Sequence, residues 1–154
     1  MRAGLDPPAP VKNGGPGEAN MAQKITLSYR TLVDEALAKI ETIQPQDAVQ
    51  LHGRDDVVLV DIRDIRELKR DGRVPGAVHC PRGMLEFWID PTSPYHKPVF
   101  AEDKKFVFFC AGGLRSVLAA EMAQRMGLKP VAHIHEGFGG WKKAGGPVET
   151  EEKR

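Results

Sequence analysis

The sequence predicts an α/β domain with a mainly parallel sheet, and three observations support that fold class. Two runs of four apolar residues, Val57–Val60 and Phe106–Phe109, have the continuous hydrophobicity of strands that are buried on both faces. Amphipathic helical segments alternate with such runs along the chain, as in parallel strand–helix–strand units. The length of 154 residues suffices for one domain with a proper core and is too short for two ordinary ones.

The chain begins with a proline- and glycine-rich stretch, residues 1–23, which we expect to be a flexible tail because it carries little apolar surface to bury. A first helix is predicted next, since apolar residues occupy the helical positions i, i+3, i+4 and i+7: Val33, Ala36, Leu37 and Ile40. Thr31 and Asp34 have the spacing of a capping box, so this helix is expected to start near Thr31. Pro45 at a first-turn position and Gly53 at a C-terminal position bracket a second, shorter helix.

The Val57–Val60 strand ends at Asp61, and the pattern that follows predicts a short helix over Ile65–Arg70 that closes at Gly72. A Val-Pro-Gly-Ala turn then leads into a brief strand that ends near Cys80.

In the second half, the Phe106–Phe109 strand leads through a glycine-rich loop into a helix that begins near Val117 and stops at Gly127. A last short strand is predicted at Val131–Ile134, and a brief helix near Trp141. The remaining five residues, 150–154, form a charged C-terminal end.

Composition excludes several classes of function. The formal net charge of +1 argues against a nucleic-acid-binding surface spread over the whole protein. The sequence has no run of 18 apolar residues that could span a membrane, and its start lacks the apolar segment of a secretory signal. Two cysteines are too few for a disulfide framework or a four-thiolate zinc site, so we expect reduced thiols in a cytoplasmic protein.

The segment with the strongest chemical signal runs from a buried strand directly into a helix: Cys110, Ala111, Gly112, Gly113, Leu114, Arg115 and Ser116. Ligands of parallel sheets bind at this end of the strands. The two glycines allow the backbone to curl so that its N–H groups point inward as an anion-binding nest. The N-terminal partial charge of the following helix acts on the same point, which favours the thiolate form of Cys110.

Arg115 strengthens the case, because a cation in the first turn of a helix is disfavoured unless an anion lies opposite. Arg82, after the strand that ends at Cys80, either reaches this anion pocket from a neighbouring loop or is a solvated surface charge. Read purely structurally, Cys110 would be a small buried residue at a strand end and the glycines a simple turn. A strand end, a glycine-rich loop, a helix start and an arginine occur together here, which favours a catalytic role for Cys110 instead.

Other polar groups are interpreted as structural. Arg63 is expected to form a framework salt bridge, with Glu67 as its partner. Cys80 and His79 are adjacent in a strand and therefore point to opposite faces, so we do not expect them to act together. His133 and His135 lack a third ligand, and no metal site is predicted.

These residues resemble the single-domain rhodaneses, the thiosulfate-type sulfurtransferases. The Cys-x-x-Gly-x-Arg-Ser loop is similar to the active-site loop of that family. Three other stretches fit in the right order: Leu59–Arg63 with Glu67, Val74–Val78, and Gly137 through Trp141 to Val148. The resemblance covers residues 45–149, with Glu136 where the family usually has a glycine and Gly140 where alanine is common.

The resemblance implies a three-layer rhodanese-like domain over residues 24–149, with a central, mainly parallel sheet of about five strands flanked by helices. It also implies sulfurtransferase activity, in which Cys110 takes the outer sulfur of a donor such as thiosulfate and holds it as a persulfide. The amides of residues 111–116 would stabilise that persulfide, and Arg115 would hold the donor's oxyanion. The acceptor would be cyanide, a thiol or a protein; no metal or organic cofactor, nucleic acid or membrane is implied.

Two alternatives remain open. A cysteine-dependent phosphatase or arsenate reductase uses the same strand, anion-binding loop and helix, but those loops resemble Cys-x5-Arg, whereas four residues separate Cys110 from Arg115. The other alternative is a non-catalytic rhodanese-like module that only binds a partner, since a fold does not fix a function.

Overall fold

Five parallel strands form one sheet in the computed structural model of the chain, which describes residues 22–150. The predicted flexible tail and charged end lie almost entirely outside these described residues. The strands are β1 (Glu41–Ile43), β2 (Val57–Asp61), β3 (Val78–His79), β4 (Lys105–Phe109) and β5 (Val131–Ile134). Their spatial order is β1-β5-β4-β2-β3, with β4 near the middle of the sheet. The predicted fold class is confirmed.

Residues 22–150 also form six α-helices: α1 (Tyr29–Lys39), α2 (Pro45–Val49), α3 (Ile65–Asp71), α4 (Leu85–Ile89), α5 (Leu114–Met126) and α6 (Gly137–Lys143). Helix α1 precedes the first strand, α6 follows the last, and the other four connect strands. Short 3-10 helices occur at Arg82–Met84 and Pro98–Ala101. None of the helices between residues 22 and 150 combines the length and apolar character that a bilayer crossing requires.

The two faces of the sheet are covered by different helices. Even-numbered residues of β2 and β4, such as Val60 and Phe108, belong to a hydrophobic cluster with α1, α4 and α5. Odd-numbered residues, such as Leu59 and Phe109, belong to a second cluster with α2 and α6. Because successive side chains of a strand point to opposite faces, the continuous apolar runs supply both layers at once.

Several predicted boundaries shift. Helix α1 starts at Tyr29, because the Oγ of Ser28 accepts the hydrogen bond from the Thr31 amide and caps the helix earlier than Thr31 was expected to. Helix α2 ends at Val49, so the predicted terminator Gly53 lies in the following turn, where its φ is +86°. Strand β1 was not predicted.

Candidate active site

Cys110 lies immediately after β4, at the carboxyl end of a central strand, and is only 1% exposed. Two backbone amides of the loop donate hydrogen bonds to its Sγ, from Gly113 at 3.1 Å and from Ser116 at 3.3 Å. Backbone N–H groups that converge on one point can hold a negatively charged atom there. The loop therefore directs two of its backbone N–H groups at Cys110 Sγ.

Gly113 makes this curl of the loop possible. Its φ is +110°, a region that side-chain-bearing residues rarely adopt, and it directly precedes α5. A Cβ at this position would also lie 3.4 Å from the amide nitrogen of Glu136. The buried Ser116 secures the turn, since its Oγ donates to the Gly113 carbonyl at 3.4 Å.

The start of α6 clamps the loop from the other side. The Phe138 amide donates to the carbonyl of Cys110 at 2.7 Å, and the Gly139 amide donates to the carbonyl of Ala111 at 3.1 Å. Gly137 has a φ of +55°, and a Cβ there would overlap the Cys110 carbonyl. The glycines that follow β5 therefore permit the close backbone approach that fixes the loop.

A buried ion pair packs against the start of α6, the segment that contacts the loop. Arg63 contacts the Asp61 carboxylate at 2.7 Å and 2.9 Å, and both side chains are within the core. The same guanidinium donates to the Gly72 carbonyl at 3.0 Å and lies 4.2 Å from the centre of the Phe138 ring. Arg63 does form a framework ion pair, but the predicted partner Glu67 is wrong: the partner is Asp61, the last residue of β2.

Glu67 instead pairs with Arg115. The two guanidinium nitrogens of Arg115 contact the two Glu67 carboxylate oxygens at 2.9 Å and 3.1 Å. The hydrogen bond from Arg115 holds the pKa of the Glu67 carboxyl below its ordinary value, and Glu67 in turn raises the pKa of Arg115. Glu67 also accepts the Asp64 amide at 3.0 Å in a capping box that begins α3.

The remaining loop residues lie at the surface or in the turn. Leu114 is 47% exposed, and a Cβ added to Gly112 would meet no atom within 4 Å. Arg82 pairs with Glu86 at 3.0 Å, four residues on, and the structure records no contact between Arg82 and the loop.

The surroundings of Cys80, His79 and His133 fit a structural role. Burial raises the pKa of the Cys80 thiol to about 12, so this thiol stays protonated at neutral pH. His79 bonds the Arg63 carbonyl at 2.7 Å, and His133 bonds the Thr42 hydroxyl at 2.9 Å. Within residues 22–150, the His, Cys, Asp and Glu side chains form no group of three or more that could hold a metal ion.

The close contacts of Glu67, Gly137 and Phe138 with the loop of residues 110–116 were not predicted from the sequence. The Asp64-x-x-Glu67 spacing is itself a capping-box signal and would have placed Glu67 at the start of a helix. Its contact with Arg115, 48 residues away in sequence, carries no local signal.

The family model for the rhodanese-like domain matches residues 44–144. The chain is 30% identical over 130 residues to the mitochondrial thiosulfate sulfurtransferase of Saccharomyces cerevisiae, which covers 81% of this chain and 86% of the relative. It is also 30% identical over 107 residues to the thiosulfate sulfurtransferase GlpE of Glaesserella parasuis, covering 70% of this chain and 91% of that protein.

Among solved structures, one from Rhodopseudomonas palustris is 64% identical with a TM-score of 0.82. The match covers 84% of this chain and 99% of the other. That protein is described as one of unknown function and a possible tyrosine phosphatase.

Proposed function

The chain belongs to the rhodanese-like domain family, and from that premise we propose that it is a thiosulfate-type sulfurtransferase whose nucleophile is Cys110. The observation that carries the proposal is the pair of amide hydrogen bonds to Cys110 Sγ, from Gly113 and Ser116. A buried cysteine with no chemical role has no need of two backbone donors on its sulfur, whereas a thiolate nucleophile is stabilised by them.

In the first half-reaction, the Cys110 thiolate attacks the outer sulfur of thiosulfate. The sulfur–sulfur bond of the donor breaks, its electron pair leaves with sulfite, and the outer sulfur stays on Sγ as a persulfide anion. The loop of residues 111–116 surrounds the added sulfur with backbone amides, and the charge of Arg115 at the mouth attracts the dianionic donor.

In the second half-reaction, an acceptor nucleophile attacks the outer sulfur of the persulfide. The bond between Sγ and that sulfur breaks, and its electron pair returns to Sγ as the thiolate, so the enzyme is ready for another turnover. Cyanide gives thiocyanate, and a thiol gives a new persulfide. This ping-pong cycle uses only groups of the chain itself.

A phosphatase is the second candidate, because the Rhodopseudomonas palustris relative is described as a possible tyrosine phosphatase. One feature favours sulfur transfer over that activity. The loop is one residue shorter than Cys-x5-Arg, which makes a tighter cradle. Hydrolysis of p-nitrophenyl phosphate by the wild type and not by Cys110→Ser would favour the phosphatase instead.

The deciding measurement is the mass of the intact protein after incubation with thiosulfate, before and after addition of cyanide. We expect a gain of about 32 Da, one sulfur atom, that disappears as thiocyanate forms. Cys110→Ser should show no gain, while Cys80→Ala, which removes the other thiol, should keep it. An unchanged wild-type mass with Cys110 still open to alkylation contradicts the proposal, and the binding-module interpretation would then take its place.

Arg115→Ala tests the role of the loop arginine. We expect the KM for thiosulfate to rise roughly tenfold, since one charge-assisted contact with an anion is worth about 1.4 kcal/mol. The free energy of unfolding should change by less than about 1 kcal/mol, because the side chain is 46% exposed. Arg125→Ala, which removes another exposed α5 arginine paired with a glutamate, is the matched control. An unchanged KM in Arg115→Ala would remove this residue from the donor site.

A further inference from the structure

A cavity of about 490 Å³ lies at the amino ends of β2 and β4, whereas Cys110 follows the carboxyl end of β4. Three stretches of chain line it: residues 51–54 with 57–59, the entry to β3 (Pro75, Gly76 and Val78), and the approach to β4 (Val99, Glu102 and Lys104). Its volume falls within the range of about 300–1,000 Å³ that is typical of small-molecule sites. The sulfur transfer proposed above uses none of these residues.

The floor of the cavity is a stretch of sheet edge without a neighbouring strand. Strand β3 pairs only with the last two residues of β2, while β4 pairs with β2 along its whole length. Even-numbered residues bond toward β4, as the donation from the Lys105 amide to the Asp56 carbonyl shows. The Val57 carbonyl and the Leu59 amide therefore point away from β4, and neither has a hydrogen-bond partner among residues 22–150. They form an adjacent acceptor and donor that a ligand can use.

Apolar walls flank this edge on both faces of the sheet. Leu51 packs against the cluster that contains α2 and α6, and Val99 packs against the cluster on the other face. His52 completes the first wall, because its Nε2 is hydrogen-bonded to the Pro75 carbonyl at 2.8 Å and its ring meets the Trp141 ring edge-on. A flat group that lies in the plane of the sheet therefore has an apolar wall against each of its faces.

Two cations at the rim give the lining a net positive charge. Arg54 is 56% exposed and pairs with Asp56 at 2.9 Å, and Lys104 pairs with Glu102 at 3.1 Å. Glu102 is the one carboxylate in the lining. Exposed ion pairs of this kind add little to stability, so both cations can turn toward an anionic group of a ligand at small cost.

We propose that this cavity binds an adenine-type nucleotide, a planar heterocycle whose amino group lies next to a ring nitrogen. The amino group donates to the Val57 carbonyl, and the ring nitrogen accepts from the Leu59 amide. The phosphate contacts Arg54 and Lys104. A compact ring suits the site better than an extended peptide, because β3 occupies the edge beyond this single donor–acceptor pair and strand addition depends on main-chain hydrogen bonds. The proposal is independent of sulfur transfer.

Amide NMR spectra of the ¹⁵N-labelled protein, recorded during titration with adenosine 5′-monophosphate, test this site. We expect a dissociation constant below about 1 mM and the largest shifts at Leu59 and residues 51–54. Inosine 5′-monophosphate has the same sugar and phosphate but presents donor and acceptor in the opposite order, so it should bind at least about tenfold more weakly. Equal affinity for the two nucleotides, no shift at Leu59, or shifts confined to the Gly113 and Ser116 amides of the Cys110 loop would overturn the proposal.

The double variant Arg54→Gln, Lys104→Gln tests the rim cations. We expect it to raise the dissociation constant of adenosine 5′-monophosphate at least about tenfold and to leave that of adenosine, which has no phosphate, within about twofold. Arg30→Gln is the matched control, because it removes a similarly exposed arginine of α1 that pairs with Asp34. Thermal unfolding without nucleotide checks that each variant is folded. An unchanged constant for the nucleotide in the folded double variant would overturn the assignment.

Discussion

At Gly113 the loop that follows Cys110 turns with a φ of +110°, and the amide of the same residue donates to Cys110 Sγ at 3.1 Å. One residue thus combines a backbone conformation suited to glycine with a contact to the proposed nucleophile. Gly113→Ala should lower the free energy of unfolding by about 1–2 kcal/mol, because left-handed backbone is costly for an L-residue. It should also slow persulfide formation, since relief of the strain rotates the amide away from Sγ.

Gly112→Ala is the matched control for stability, because its φ is not in the left-handed region and an added Cβ meets no atom within 4 Å. Urea unfolding of both variants, followed by the rate of sulfite release from thiosulfate, makes the comparison. Equal losses of stability in the two variants would show that the loop tolerates both positions alike and that Gly113 is not special.

Glu136 and Gly140 lie so close together that the side chain tolerated at one position depends on the residue at the other. Glu136 has a φ of +61° and is the only non-glycine residue of the described part of the chain with a positive φ. A Cβ on Gly140 would lie 2.9 Å from the Cβ of Glu136 and 2.8 Å from Pro45 Cγ. It would also lie 2.9 Å from the His135 carbonyl oxygen, so the glycine at position 140 leaves room for the Glu136 side chain and for two other neighbours.

This coupling predicts a non-additive mutant cycle. Gly140→Ala in the wild type should lower the free energy of unfolding by about 1–3 kcal/mol through overpacking. The same substitution made in Glu136→Gly should cost at least about 0.5 kcal/mol less, because the crowding Cβ is gone. Denaturant unfolding of the four proteins gives the interaction energy, and a value near zero would mean that the two positions are independent.

The strands and helices that could be predicted from the sequence are those whose pattern lies in consecutive residues. Strands β2 and β4 are buried on both faces, so their apolar runs are continuous and easy to recognise. The cradle around Cys110 was predictable for the same reason, since its strand, glycines and helix are contiguous in the chain.

Strand β1 shows why the rest could not be predicted. Glu41 and Thr42 are exposed and only Ile43 is buried, so this edge strand has neither an apolar run nor a clear alternation. It is a strand because it pairs with β5, 91 residues away at the Thr42–His133 position. The Glu67–Arg115 contact and the hydrogen bonds from the start of α6 to the Cys110 loop also join residues that are far apart in the sequence. No local pattern therefore predicts them.

For the whole molecule, the buried ion pair and Cys110 both lie at the carboxyl ends of neighbouring strands, β2 and β4. Asp61 and Arg63 lie on the α2 and α6 side of the sheet, and Cys110 lies on the side of α1, α4 and α5. The carbonyl of Cys110 joins the two sides through the Phe138 amide. The buried ion pair is thus part of the same arrangement that positions Cys110, and it contributes to stability and to the geometry of the loop together.

His133 links the stability of this whole arrangement to pH. Its side chain is 2% exposed, and burial lowers its pKa to about 4 from an ordinary value near 6.5. Above pH 6.5 the imidazole is neutral in both states and no penalty arises. As the pH falls below 6.5, the unfolded chain takes up a proton that the folded protein refuses, so the free energy of unfolding decreases down to about pH 4. Between pH 7.5 and 5.0, this residue should cost about 2 kcal/mol.

Urea unfolding at these two pH values tests that prediction. In His133→Gln, whose amide can still reach the Thr42 hydroxyl, the stability difference between pH 7.5 and 5.0 should shrink by most of this amount. His135→Gln removes the charge that contributes less than burial to the lowered pKa of His133, so it should reduce the wild-type difference only slightly. Carboxylates with lowered pKa values, such as Glu67, weaken the fold only at more acidic pH, because the unfolded carboxyl remains ionised above about 4.5. A full pH difference in His133→Gln would therefore assign the loss to groups other than this histidine.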